Sequence, residues 1–140
     1  MTEELHREVL EDHARIPRGQ DSLIDFTAEA NFQSAKTGNS CSVRVKWEDD
    51  QRIQKLSAQV RGSALSQACA SIMVCELEGR TVEEASNLAK GLCAFLEEGK
   101  DLEISGDLSV YRSIVNFPDR FDCALLAWRA YLKTLSLVHI

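Results

Sequence analysis

The sequence has no CxxC pair, so no local stretch encodes a zinc ribbon or a thioredoxin-like redox centre. It also has no nucleophile elbow, phosphate loop, dinucleotide fingerprint or HExxH, which removes the commonest locally encoded hydrolase, nucleotide and metalloprotease sites. Positive charge is short: 16 Lys and Arg against 22 Asp and Glu leave a formal charge of −6. That is the wrong sign for a nucleic-acid or anionic-membrane surface. No apolar run approaches the roughly 20 residues that span a bilayer. The opening MTEELHREVLEDH carries acids where a signal peptide has basic and then apolar residues. The expectation is a cytoplasmic protein that binds neither nucleic acid nor membrane.

What is present is enough for one domain over residues 1–140. The 140 residues, 44% hydrophobic and 27% charged, suffice to bury a core without staples. Five cysteines with no export signal predict reduced thiols rather than a disulfide framework. Any metal site must then be assembled from distant segments.

Thr2 suits an N-cap for a helix carrying Leu5, Val9 and Leu10, ended by Ile16-Pro17-Arg18-Gly19. Alternation over residues 23–32 predicts a strand, and residues 34–40, with Gly38-Asn39, a loop. Cys41, Val43, Val45 and Trp47 alternate with polar residues. After the turn at residues 48–50, Ile53, Leu56, Ala58 and Val60 return antiparallel. The period then becomes helical. Leu65, Ala68, Ile72 and Cys75 form one stripe, and Thr81 with Glu84 forms a capping box for a helix ending at Gly99. A shorter helical segment lies within residues 107–115. Pro118 opens a last helix striped by Phe121, Leu125, Trp128, Leu132 and Leu135. The fold class is α+β: a small antiparallel sheet of about three strands, with helices packed on one face.

Core packing is the expected role of Cys75 and Cys93, which fall on apolar stripes, and of Cys69, one position off its stripe. Cys41 and Cys123 differ. Cys41 follows a polar loop at the mouth of a strand. Cys123 lies in a first helical turn, where free N–H groups favour a thiolate. The three histidines form no ligand set: His6 and His139 read as solvent-facing or terminal, and His13 as a partner of the helix dipole. With no histidine placed as a base, a thiol enzyme built on Cys123 has little support, and the protein is not expected to turn over a substrate alone.

Taken in order, three segments resemble the U-type iron–sulfur cluster assembly scaffolds, the family of IscU, SufU and the N-terminal domain of NifU. Asp12-His13 with Pro17-Arg18 is similar to that family's DHxxxPR. Gly62, Ser66, Ala68, Ser71 and Met73 fit GCxxSxASxSxM. Phe117-Pro118-Asp119-Arg120-Phe121-Asp122-Cys123-Ala124, then Leu126 and Trp128, fit FPxRxxCAxLxW. Val115-Asn116-Phe117-Pro118-Asp119 stands where some relatives present LPPVK to a chaperone, as in the SufU-type branch.

The resemblance implies the same fold and a site of three cysteines and an aspartate, from CGD, GC and FPxRxxC motifs, holding a cluster or zinc. Cys41 is taken as the first ligand and Cys123 as the third. Ser42-Val43 replaces the Gly-Asp after Cys41, Ser63 stands at the second cysteine, and the stretch between Cys41 and Ser63 is a few residues short. Cys69, about 9 Å further along the helix, does not fill the gap. Asp122 is a substitute ligand and Ser63 a weak oxygen donor. An iron–sulfur cluster, zinc and no metal all stay open as cofactors. A homodimer pooling two copies of Cys41 and Cys123 would supply four thiolates.

The implied function is a scaffold that receives sulfur from a cysteine desulfurase and passes clusters to recipient apo-proteins. The alternative is a degenerate family member that binds a partner or regulates without metal.

Overall fold

The Thr2 side chain accepts from the Leu5 N–H at 3.2 Å, satisfying an amide that a first helical turn leaves unpaired. The computed structural model describes residues 2–136. After α1 (Glu3–Arg15) come β1 (Ala28–Gln33), β2 (Ser40–Trp47) and β3 (Ile53–Arg61). The chain continues through α2 (Ala64–Leu77), α3 (Val82–Glu98), α4 (Tyr111–Ile114) and α5 (Phe121–Leu135). Short 3-10 turns at Gly106–Val110 and Pro118–Arg120 lead into α4 and α5.

The strands pair in the order β1-β2-β3, antiparallel throughout. Cys41 lies opposite Phe32 and Val60, Val43 opposite Ala30 and Ala58, and Val45 opposite Ala28 and Leu56. Strand alternation sends these rows to one face, where α2 and α5 cover them. The α+β class and the one-sided packing agree with the sequence. So do the capping box at Thr81 and Glu84 and the left-handed Gly99 that ends α3. Among the described residues no helix is long and apolar enough to cross a membrane.

Four local expectations need correction. The strand expected from residue 23 begins at Ala28, because the preceding segment is tied across the sheet by side chains. Arg44 Nη1 donates to the Leu23 carbonyl at 2.6 Å, Lys46 pairs with Asp25, and Ile24 is 96% exposed. His6 is buried, with Nδ1 bonded to Ser113 Oγ on α4. His13 is buried too, held between Ser71 Oγ at 2.7 Å and Asp107 Oδ2 at 2.8 Å. Cys75 is exposed, because α2 is apolar on nearly every side and a stripe no longer marks its inner face; Cys93, at the edge of the buried stripe of α3, is only half-buried. His139 lies outside the described residues.

Candidate functional site

Asp122 and Cys123 enter the first turn of α5 through the 3-10 turn that Pro118 begins. Proline suits that position, since its missing N–H would have no helical partner. The Arg120 guanidinium stacks on the Phe117 ring at 4.3 Å. Behind the turn, Trp128 Nε1 donates to the Tyr111 hydroxyl at 2.9 Å, and that hydroxyl donates to the Ala124 carbonyl at 2.7 Å. The backbone carrying Cys123 is therefore pinned to α4 from inside the core.

The facing wall is the loop between β1 and β2. The Ser34 N–H donates to the Asn39 carbonyl at 2.8 Å, and the Gly38 N–H to the Ser34 carbonyl at 2.9 Å. Ser34 Oγ accepts from the Lys36 and Thr37 amides at 3.2 and 3.1 Å. Gly38 has φ +80, a left-handed conformation that glycine adopts without steric cost.

Asp122 locks this loop to α5. One oxygen accepts from Ser34 Oγ and from Thr37 Oγ1 at 3.3 Å; the other accepts from Arg129 Nη1 at 3.1 Å. Arg129 also pairs with Glu97 at 2.9 Å. Both carboxylate oxygens are thus committed, and Asp122 works as a latch.

Cys123 is half-buried, and its sulfur accepts a hydrogen bond from Asn39 Nδ2 at 3.4 Å. Gly62 closes the back of the asparagine: a Cβ there would come within 2.5 Å of Asn39 Cγ. The next residue, Ser63, caps α2, its Oγ accepting from the Ser66 N–H at 3.1 Å. Three segments therefore meet at this corner: the 34–39 loop, whose Asn39 reaches the sulfur, Gly62-Ser63 behind the Asn39 side chain, and the start of α5.

Cys41 is not part of this convergence. It is 1% exposed on the covered face of β2, and burial pushes its thiol up to about 12. Cys69 is likewise buried, its thiol pushed up to about 12 first by burial. At 1% exposure each, neither thiol is open to an incoming metal ion or a partner's persulfide. Sequence reasoning missed Asn39, Ser34, Gly62 and Arg129. The Gly38-Asn39 dipeptide is a turn signal and was the available hint.

The expected ligand set of Cys41, Cys123, Asp122 and Ser63 does not fit a cluster or a zinc ion. The corner offers one sulfur, a carboxylate already saturated by hydrogen bonds and a hydroxyl spent on a helix cap. Among the described residues no group of three His, Cys, Asp or Glu could hold a metal ion. An iron–sulfur cluster wants several thiolates.

Comparison with known proteins places most of the chain in one family. The profile of the NifU-like N-terminal domain matches residues 5–124. The chain is 27% identical over 135 residues to the zinc-dependent sulfurtransferase SufU of Bacillus subtilis, covering 94% of this chain and 90% of that one. It is also 27% identical to the iron–sulfur cluster assembly scaffold protein IscU of Streptococcus pyogenes, covering 94% and 83%. Two solved structures share the fold. One is a SUF-system scaffold from Fervidobacterium islandicum, at TM-score 0.83, 21% identity, and 91% and 94% coverage. The other is a NifU-like N-terminal protein from Brucella abortus, at TM-score 0.85, 19% identity, and 94% and 92% coverage. A profile match over most of the sequence, with three motifs in family order, establishes the relationship: the chain belongs to the NifU-like N-terminal domain family of U-type scaffolds.

Proposed function

We propose that this protein serves iron–sulfur cluster assembly as a scaffold-family protein, accepting sulfur at Cys123 from a cysteine desulfurase for delivery to recipient apo-proteins. The observation that carries the reading is Cys123 itself: a half-buried thiol in a first helical turn, held by a side-chain N–H donor. The step balances without an outside oxidant. The Cys123 thiolate attacks the terminal sulfur of the desulfurase persulfide, an S–S bond forms at Cys123 as the original S–S bond breaks, and the desulfurase cysteine leaves as thiolate. Tyr111, Trp128 and Asp122 fix the backbone that presents the sulfur.

Sulfur acceptance agrees with the name of the Bacillus subtilis relative, a sulfurtransferase, and cluster assembly with that of the Streptococcus pyogenes relative. A partner-binding module that has lost its chemistry is not favoured, since the relatives named for assembly and transfer match almost end to end.

The test is incubation with a cysteine desulfurase and cysteine, followed by mass spectrometry of non-reduced peptides. The Cys123 peptide should gain the mass of one sulfur, and Cys123→Ser should abolish the gain. No gain at Cys123 in the wild type, or an equal gain at exposed Cys75, would overturn the assignment.

A further inference from the structure

The departure of this corner from a metal site has a structural counterpart at Asn39. Its backbone is held by the loop on both sides: the amide donates to Thr37 Oγ1 at 3.2 Å and the carbonyl accepts from Ser34 at 2.8 Å. Its side chain lies in a cradle that exists only because residue 62 is glycine. From there Nδ2 donates to the Cys123 sulfur at 3.4 Å. Asn39 is half-buried, so this donor is partly shielded from competing water.

The register of the loop points the same way. The C-G-D motif implied by the resemblance requires a glycine in its middle, and Thr37-Gly38-Asn39 supplies one with φ +80. That placement lies four residues upstream of Cys41 and removes the shortfall that Cys41 left before Ser63. The positions around Cys123 then carry threonine, asparagine and serine in place of two thiols and a carboxylate. Of the three, the Asn39 amide reaches the sulfur as a hydrogen-bond donor, and neither an amide nor a hydroxyl is a soft metal ligand.

We infer that Asn39 is the positioning residue of the Cys123 sulfur, its side-chain N–H holding the thiolate and then the persulfide without a metal. The inference rests on Cys123 as sulfur acceptor. Asn39→Asp keeps the shape and both backbone bonds but exchanges the donor for a carboxylate that repels a sulfur anion. Gly62→Ala leaves Asn39 chemically intact and evicts its side chain from the cradle.

The experiment follows iodoacetamide modification of the Cys123 peptide against pH, and sulfur loading from a desulfurase, each with and without a zinc and iron chelator. In Asn39→Asp the pH midpoint of modification should rise by about one unit. The rate at neutral pH should fall severalfold, less than the midpoint shift alone implies, because a more basic thiolate is the better nucleophile. Gly62→Ala should shift the midpoint in the same direction, and chelation should leave wild-type loading unchanged.

Unshifted midpoints in both variants would overturn the role of Asn39 while leaving sulfur acceptance at Cys123 standing. Loading that chelation abolishes would overturn the metal-free reading. A wild type that loads no sulfur yet shows the midpoint shifts would overturn the acceptor role and keep the Asn39 hydrogen bond.

Discussion

At Asp122 a single carboxylate joins two chain segments far apart in sequence. Its oxygens accept from Ser34 and Thr37 in the β1–β2 loop and from Arg129 one helical stretch later, with only 17% of the side chain exposed. Hydrogen bonds to a shielded charge are worth more than neutral ones, and removing the acceptor takes away the partner of the Ser34 and Thr37 hydroxyls and of one guanidinium nitrogen, Arg129 Nη1. Asp122→Ala is therefore expected to lower stability by about 2–3 kcal/mol. The cost stays below that of a fully buried pair because Arg129 keeps Glu97. Urea unfolding checks this: the midpoint should fall with an unchanged slope. A shift within error of wild type would mean that the loop is held by its own backbone bonds alone.

At the scale of elements, local signals were legible and long-range ones were not. The capping box of α3, its terminal glycine, the β2–β3 hairpin and the Pro118 entry to α5 all rest on residues within a few positions of one another. The alternation of β2 correctly placed Cys41 on a strand, but alternation does not say that its face of the sheet lies under α2 and α5. Hence Cys41 read as a ligand while the residues that meet Cys123 stood earlier, in the loop. His6 and His13 escaped for the same reason: their partners lie 107, 58 and 94 positions away.

The corner nevertheless keeps the backbone on which a metal site could be rebuilt. Thr37→Cys, Asn39→Asp and Ser63→Cys together would set two new thiols and a carboxylate around Cys123, a donor set suited to zinc. Replacing Ser63 removes the α2 cap, at a cost of about 1 kcal/mol. Elemental analysis of the triple variant should find about one more zinc per chain than in the wild type, and adding Cys123→Ser should remove it. A natively folded triple variant without the extra zinc would show that the three segments do not converge as described.

Over the whole molecule, the two buried histidines of α1 decide how that helix sits on the rest. His13 joins it to α2 and to the 3-10 turn at Gly106–Val110, and His6 joins it to α4. Just beyond, the chain crosses α2 so closely that a Cβ on Gly19 would lie 2.6 Å from Val74, and Gly19 passes its carbonyl to the Ala58 amide of β3 at 2.8 Å. Docking of α1 therefore favours a neutral His6, because burial lowers its pKa from 6.5 and its Nε2 has no hydrogen-bond partner among the described residues.

The sign follows from linkage. Above 6.5 the ring is neutral in both folded and unfolded chains, and His6 adds no pH dependence. As the pH falls below 6.5 the unfolded chain takes up the proton first, so stability drops until the folded protein also protonates. Carboxylates titrate at still lower pH in any variant, so the comparison that isolates the effect is between wild type and His6→Gln, whose amide keeps a contact to Ser113. The wild-type urea midpoint should decline on acidification from 6.5, and that of His6→Gln should decline less over the same range. Parallel declines would move the pH sensitivity away from His6 and release α1 docking from its preference for a neutral ring.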